Sequence, residues 1–242
     1  MTQLLFLHGI GGGHHAWDAQ LPYFAAQGYP SHAWDQPGYG HTPSVEPYDL
    51  EQVSASLARL IRSLRDGGPV VLVGHSMGGF MAQETYARHP EGIAALALCF
   101  TSAAFGSGDG AFVKQFIAAR IAPLDAGKTM ADIAAELLPT LGGNSKHAER
   151  IMAGVPPGTY RKAVALLTTF DRRNDLARIA VPTLVVSGEQ DPLAPPATME
   201  KMARRIPGAE HVTIPGCGHL GPMDRPEAFN AALLAFLKKH KL

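Results

Sequence analysis

A serine lies inside a glycine-containing stretch at residues 74–79, with the sequence Gly-His-Ser-Met-Gly-Gly. The apolar run 70–73 before it predicts a buried strand, and the run 80–87 after it predicts a helix. A serine on a tight strand-to-helix turn presents its hydroxyl above the edge of a sheet, where it can act as a nucleophile. Ser76 is therefore the predicted nucleophile, and the amide of Met77 is a predicted donor to an oxyanion.

A serine hydroxyl is a weak nucleophile at neutral pH, so this chemistry needs a histidine base and an acid that orients it. Asp191 follows a predicted strand at 182–187, and His219 follows a predicted strand at 210–214. Because loops after the carboxyl ends of parallel strands meet at one edge of a sheet, both side chains are expected near the serine. Glu189 is the rival acid, although it lies closer to the end of its strand.

The loop after the predicted strand 3–7 is rich in glycine, with the sequence His-Gly-Ile-Gly-Gly-Gly at residues 8–13. Glycines allow such a loop to approach a ligand closely. The amide of Ile10 is the candidate for the second oxyanion donor, with Gly11 as the alternative. The loop lacks the lysine of a phosphate-binding loop, and its glycine spacing does not match the dinucleotide motif, which argues against a nucleotide site.

The chain resembles α/β-hydrolase-fold serine hydrolases over nearly its whole length, because five short motifs occur in that family's order. They are His8-Gly9, Asp-Gln-Pro-Gly-Tyr-Gly at 35–40, the serine motif at 74–79, Gly-Glu-Gln-Asp at 188–191, and Gly218-His219. The resemblance implies a catalytic triad of Ser76, Asp191 and His219. Within the family, the sequence is similar to carboxylesterases and enol-lactonase-like enzymes. Family members usually begin with an antiparallel hairpin, whereas the first strand here starts at residue 3, so an all-parallel sheet is expected.

Alternating predicted strands and helices indicate an α/β protein with a mostly parallel sheet of about six strands flanked by helices. The predicted strands are 3–7, 30–34, 69–73, 93–99, 182–187 and 210–214, and the predicted helices are 16–27, 49–65, 77–88, 196–205 and 225–239. About 80 residues without a strand-like run follow the Ala94–Cys99 strand. This predicts a helical cap at 102–178, inserted between two parts of the hydrolase core at 1–101 and 179–242.

A helical cap over the active site is expected to enclose a pocket of roughly 300–1,000 Å³, the usual size for a small ligand. Apolar side chains from the cap and the core are predicted to bind the substrate, namely Trp17, Phe112, Leu138, Leu167 and Leu193. The cap also carries several basic residues. Arg172 and Arg173 precede the return to the core, where either could bind a substrate carboxylate.

The composition argues against several other classes of protein. The 21 basic and 21 acidic residues give no net charge, so neither a nucleic-acid partner nor a polyanion surface is expected. No apolar stretch has membrane-spanning length and no secretion signal is evident, so we expect no membrane partner and a cytoplasmic localisation. Two cysteines, Cys99 and Cys217, argue against a disulfide scaffold. Neither a metal nor a cofactor is expected, and the protein is predicted to be a monomer or a homodimer.

The sequence thus predicts a serine hydrolase that cleaves a small carboxylic ester or lactone through an acyl-enzyme on Ser76. Three alternatives share the fold and the triad and stay open. They are a C–C bond hydrolase of a ring-cleavage product, a cofactor-free haloperoxidase or perhydrolase, and a hydrolase-fold receptor for a small ligand. Many C–C bond hydrolases carry Asn where this chain has His75, which disfavours the first alternative.

Overall fold

The computed structural model describes residues 1–106, 110–143 and 145–242. A six-stranded sheet with the order β2-β1-β3-β4-β5-β6 forms its centre, and every neighbouring pair is parallel. The strands are β1 Gln3–Leu7, β2 Ser31–Trp34, β3 Val70–His75, β4 Ile93–Cys99, β5 Thr183–Gly188 and β6 Glu210–Ile214. Each lies within two residues of its predicted position, and the expected all-parallel sheet is confirmed.

Helices follow the strands and connect them. They are α1 Gln20–Ala26, α2 Leu50–Leu64, α3 Met77–Arg88, α4 Gly110–Asp125, α5 Met130–Leu137, α6 Lys146–Ala153, α7 Pro157–Leu167, α8 Pro196–Ala203, α9 Gly221–Asp224 and α10 Pro226–Lys239. The single helix predicted over 16–27 is wrong in its first part, where a 3₁₀ turn at His14–Trp17 precedes α1. Pro22 explains the break, because proline is tolerated only in the first turn of a helix.

The four central strands of the sheet, β1, β3, β4 and β5, are buried on both faces, as is usual for a parallel sheet. Alternate residues of β1 point to opposite sides, so Leu5 joins the cluster that contains α2, α3 and α8, while Phe6 joins the cluster that contains α1 and α10. The same alternation in β3 and β4 produces continuous apolar strands without a polar face. Their carboxyl ends therefore meet at one edge of the sheet, in its buried centre.

Helices α4 to α7 lie in the insertion between β4 and β5. Their apolar side chains, including Ile133 and Tyr160, form a third cluster with Met77 and Leu220, which lie beyond the carboxyl ends of β3 and β6. This cluster holds the inserted helices against the same edge of the sheet. The division into a core and a separate cap at 102–178 stays a prediction. Within the described ranges, no helix combines the length and the apolar composition needed to cross a membrane.

Candidate active site

Ser76 occupies a strained turn between β3 and α3. Its φ of 53° and ψ of −117° lie in a region that residues other than glycine rarely adopt. The flanking glycines permit the turn, since a Cβ on Gly74 would lie 2.4 Å from the Gly78 carbonyl oxygen. A Cβ on Gly78 would lie 2.1 Å from the carbonyl oxygen of Leu7. The hydrogen bond from the Ser76 amide to the Cys99 carbonyl, at 2.9 Å, fixes the turn to the neighbouring strand.

A continuous chain of hydrogen bonds links an acid, a histidine and this serine. Nδ1 of His219 lies 2.8 Å from Oδ2 of Asp191, and Nε2 lies 2.9 Å from Oγ of Ser76. Because a carboxylate can only accept, Nδ1 carries the proton and Nε2 is free to accept one from the hydroxyl. The other carboxylate oxygen of Asp191 accepts from the amides of Leu193 and Ala194, at 2.8 and 3.0 Å.

The carboxylate of Asp191 is held in its ionised form. Burial alone would raise the pKa of Asp191, but the hydrogen bond from His219, the charge that this ring carries when it is protonated, and the two amide donors keep the pKa below its ordinary value. Glu189, the rival acid, lies at the surface, where Oε2 accepts from the amide of Gly216 at 2.7 Å. The structure therefore places Asp191, and not Glu189, against the histidine.

His75 makes a contact that sequence reasoning missed. Its Nε2–H donates to the backbone carbonyl of His219 at 2.8 Å. Burial, followed by the positive charge that His219 can carry, lowers the pKa of His75 to about 3, so the ring stays neutral. The sequence interpretation gave this residue only a packing role. The sequence did contain one signal for this contact. His75 directly precedes Ser76, so it lies at the same edge of the sheet as the loop that carries His219.

The two backbone amides predicted to bind an oxyanion are those of Ile10 and Met77. Within the described part of the chain, no backbone carbonyl accepts from the amides of Ile10 or Met77. The Gly9 carbonyl oxygen accepts from the His8 ring at 2.8 Å and from the Gly12 amide at 2.9 Å. Because the carbonyl and N–H of a trans peptide point in opposite directions, these bonds turn the Ile10 amide away from Gly12. The oxyanion role of the two amides stays a prediction.

His8 has a defined protonation state in this loop. Its Nδ1–H donates to the Gly9 carbonyl, while Nε2 accepts from the amide of Gln36 at 3.1 Å. Burial lowers the pKa of His8, so the ring remains neutral and keeps one donor and one acceptor. Tyr39 supports the same loop, since its hydroxyl donates to the Ile10 carbonyl at 2.8 Å.

Ser76 and His219 border a cavity of about 410 Å³ between the sheet edge and the inserted helices. Its described lining is mostly apolar. Among the predicted site residues, the cavity is lined by Ile10, Ser76, Met77, Phe112, Leu138, Leu167, Leu193 and His219. This volume falls in the range of roughly 300–1,000 Å³ that is usual for small-ligand sites.

The prediction that Trp17 lines the pocket is wrong. Its ring is buried in the core, with ring centroids 4.9 Å from Phe6 and 6.1 Å from Phe229. The 3₁₀ turn that carries Trp17 packs its buried side against the sheet face covered by α1 and α10. A large apolar ring gains more from this burial than from a position at the cavity wall.

The basic residues of the insertion divide into two kinds. Arg172 forms ion pairs with Glu84 and Asp175, at 2.6 and 3.0 Å, and does not line the cavity. Arg173 pairs with Asp171, also outside the cavity. Arg120, by contrast, lines the cavity.

The available signal for Arg120 was its spacing on α4. Phe112, Phe116 and Arg120 recur every four residues, which places them on one face of a helix. Phe112 was already a predicted pocket residue. Because Arg120 lies on the same helix face, the spacing also predicts that Arg120 lines the pocket.

Comparison with known proteins places the chain in a large group. Residues 4–232 match the alpha/beta hydrolase family. BpoC of Mycobacterium tuberculosis (strain H37Rv), named as a non-heme bromoperoxidase, is 31% identical over 98% of this chain and 94% of its own length. The pimeloyl-[acyl-carrier protein] methyl ester esterase of Neisseria meningitidis serogroup B (strain MC58) is 28% identical, with 98% of this chain and 93% of the relative covered.

Solved structures show the same architecture. A malate-bound thermophilic esterase from Thermogutta terrifontis superposes with a TM-score of 0.86 at 28% identity, covering 99% of this chain and 90% of that chain. The enol-lactonase from Burkholderia xenovorans LB400 superposes with a TM-score of 0.80 at 25% identity, covering 98% and 92%. The expected α/β-hydrolase fold is confirmed.

Proposed function

This chain belongs to the alpha/beta hydrolase family, and we propose that it cleaves small carboxylic esters or lactones through an acyl-enzyme on Ser76. One observation carries the proposal. The chain of hydrogen bonds from Asp191 through His219 ends on the Ser76 hydroxyl at the edge of an apolar cavity. A hydroxyl in that arrangement can lose its proton as it attacks, which is the requirement for nucleophilic catalysis.

In the acylation step, Oγ of Ser76 forms a bond to the acyl carbon while Nε2 of His219 takes the hydroxyl proton. The substrate carbonyl oxygen becomes an oxyanion and accepts from the amides of Ile10 and Met77. Asp191 stabilises the imidazolium and keeps its ring in one tautomer. When the tetrahedral intermediate collapses, the bond to the leaving oxygen breaks and His219 returns the proton to that oxygen.

In the deacylation step, water attacks the acyl carbon and gives a proton to Nε2 of His219. The bond between the acyl carbon and Oγ of Ser76 then breaks, and His219 returns the proton to the serine. The products are a carboxylic acid and an alcohol, which remain joined in one hydroxy acid when the substrate is a lactone. These steps use only groups of this chain and water.

The two cysteines do not compete as nucleophiles in this proposal. Burial raises the pKa of Cys217 to about 11 and raises that of Cys99 further, so both remain thiols at neutral pH. Neither forms a disulfide. Two buried free thiols support the proposed cytoplasmic localisation, since reduced cysteines are usual there. The oligomeric state, monomer or homodimer, stays a prediction.

The names of the relatives support ester and lactone chemistry, because they include two esterases and an enol-lactonase. The bromoperoxidase name of BpoC supports a second candidate function. If hydrogen peroxide replaced water in deacylation, the acyl-enzyme on Ser76 would release a peracid and the free serine. Peracid formation on addition of hydrogen peroxide to an ester assay is the separate test of this second candidate, and no peracid above the rate of Ser76→Ala would exclude it.

The test is a series of kcat/KM values for p-nitrophenyl esters from acetate to palmitate, beside small lactones and a peptide amide. We expect a maximum at a short or medium acyl chain or at a lactone, because the cavity of about 410 Å³ beneath the inserted helices has the size of a small-ligand site. Alkoxide departure also demands less of a general acid than amine departure. A maximum at palmitate, or faster turnover of the amide, would contradict the proposal. A single slow turnover on every substrate would favour a ligand receptor instead.

A further inference from the structure

We propose that the cavity binds a carboxylate of the substrate between the guanidinium of Arg120 and the hydroxyl of Tyr160. The preferred substrate is then an ester or lactone with a free carboxylate elsewhere in the molecule. This inference rests on the proposed function, because it names the substrate class of the same cavity. It follows from an arginine without a carboxylate partner and from a buried tyrosine hydroxyl beside it, both of which line this cavity.

Arg120 is the arginine without a carboxylate partner. Among the described residues that line the cavity, it alone carries a permanent charge. No carboxylate in the described ranges forms an ion pair with Arg120, whereas Arg161, Arg172 and Arg173 on the same insertion each have one. Its guanidinium carbon lies 5.1 Å from the ring centre of Phe116, which holds the side chain against the aromatic part of the wall.

Tyr160 carries the buried hydroxyl. Its side chain is fully buried, and its hydroxyl forms no hydrogen bond of normal geometry with any described residue. A buried tyrosine hydroxyl usually has a hydrogen-bond partner, so the lack of such a bond needs an explanation. Burial raises the pKa of Tyr160, and Arg120 opposes part of that rise through its charge and through a hydrogen-bonding interaction between the two side chains. The hydroxyl therefore keeps its proton and lies within the electrostatic reach of the arginine.

The two groups come from neighbouring helices that pack together, Arg120 from α4 and Tyr160 from α7. A guanidinium presents parallel donors that match the two oxygens of a carboxylate, and a hydroxyl adds a third donor. Together they supply one positive charge, which balances a carboxylate and not a phosphate dianion. The mostly apolar lining of the same cavity suits a hydrocarbon segment that joins the carboxylate to the ester.

The experiment compares two esters that differ only at the far end. One is the monomethyl ester of a straight-chain dicarboxylic acid, and the other is the methyl ester of the monoacid of equal chain length. For wild type we expect a higher kcat/KM with the half-ester. In Arg120→Gln the ratio of the two values should fall by about tenfold to a hundredfold, mainly through KM, because a charge-assisted hydrogen bond is lost.

Three further variants sharpen this comparison. Tyr160→Phe should lower the same ratio by up to about tenfold, since one neutral hydrogen bond is removed. Arg120→Lys should retain part of the preference, because it keeps the charge without the planar fork. Arg161→Gln is the matched control: it removes a guanidinium that pairs with Asp125 at 2.6 Å between the same two helices, and its ratio should equal that of wild type.

Failure of this inference is distinct from failure of the proposed function. Hydrolysis of both esters with a ratio unchanged in Arg120→Gln would overturn the carboxylate site and leave the esterase proposal intact. If wild type hydrolysed neither ester, the binding of the half-ester to Ser76→Ala would decide. An affinity at least tenfold weaker in the Ser76→Ala, Arg120→Gln double variant would support the site, and equal affinity would overturn it.

Discussion

The Nε2–H of His75 donates to the backbone carbonyl of His219 at 2.8 Å, and so joins the residue before the serine to the residue proposed as its base. The His75 ring also lies beside the glycine loop at residues 8–13, since a Cβ on Gly9 would lie 3.1 Å from Nδ1 of His75. One buried, neutral imidazole thus touches two of the loops that form the site. We infer that His75 is a positioning residue that acts through His219.

His75→Ala is expected to lower the free energy of unfolding by about 1–3 kcal/mol, because the buried His219 carbonyl loses its donor. It should also lower kcat by about tenfold to a hundredfold with little change in KM, since a small displacement of the base disturbs proton transfer more than binding. His75→Gln, which can still donate, should recover part of the loss. Steady-state kinetics and urea unfolding measure both effects. An unchanged kcat in a less stable His75→Ala protein would refute the positioning role.

The stability of the fold should decrease with acid before the carboxylates titrate. The pKa of His75 is about 3 in the folded protein and about 6.5 in an unfolded chain, so the unfolded state binds the extra proton. The free energy of unfolding therefore falls as the pH drops below about 6.5. His75 accounts for a loss of about 2 kcal/mol in the free energy of unfolding between pH 7 and pH 5. Urea unfolding measures the free energy of unfolding at pH 7 and pH 5. Its decrease between the two pH values should be smaller in His75→Gln than in wild type by this amount, and an equal decrease in both proteins would contradict the prediction.

Asp191→Asn should lower kcat by about 10⁴-fold, because an amide stabilises the wrong tautomer of His219 and no longer balances the imidazolium. Glu189→Gln is the matched control two residues away, and its kcat should stay close to that of wild type. Its carboxylate accepts only from the Gly216 amide at the surface. Steady-state kinetics with one p-nitrophenyl ester provides the comparison. The reverse order of the two effects would assign the acid to Glu189.

The adjacent arginines Arg172 and Arg173 should differ in their effect on stability. Glu84 is buried, and Arg172 contacts it through two nitrogens at 2.6 and 2.7 Å. Arg172→Met should therefore lower the free energy of unfolding by about 3 kcal/mol, because a buried carboxylate loses a main partner. Arg173→Met removes an exposed pair with Asp171 and should leave the unfolding midpoint unchanged. Equal midpoints for the two variants would contradict this ranking.

The order of strands and helices was predictable because the core strands are continuous apolar runs and the turns carry glycine. Both signals are local. The positions of Asp191 and His219 were predictable for the same reason, since each directly follows a strand of the parallel sheet. The helix predicted over 16–27 was wrong at its start because Pro22 limits where a helix can begin.

The lining of the cavity was less predictable from sequence. Trp17 was assigned to the pocket, but an aromatic residue near a functional loop has the same sequence pattern whether it packs in the core or against a ligand. Arg120 was one of ten basic residues in the insertion, and its neighbours along the chain do not reveal that it lacks a counter-ion. The position of the Tyr160 hydroxyl beside Arg120 depends on the packing of α4 against α7, which no local pattern encodes.

Covalent labelling of the serine tests the central claim most directly. A fluorophosphonate should add one adduct per chain, peptide mapping should place it on Ser76, and ester hydrolysis should disappear in parallel. Ser76→Ala should take up no label and should lose on the order of 10³–10⁶ in kcat, with the residual rate coming from the oxyanion donors. An adduct on another residue, or hydrolysis near the wild-type rate in Ser76→Ala, would contradict an acyl-enzyme on Ser76.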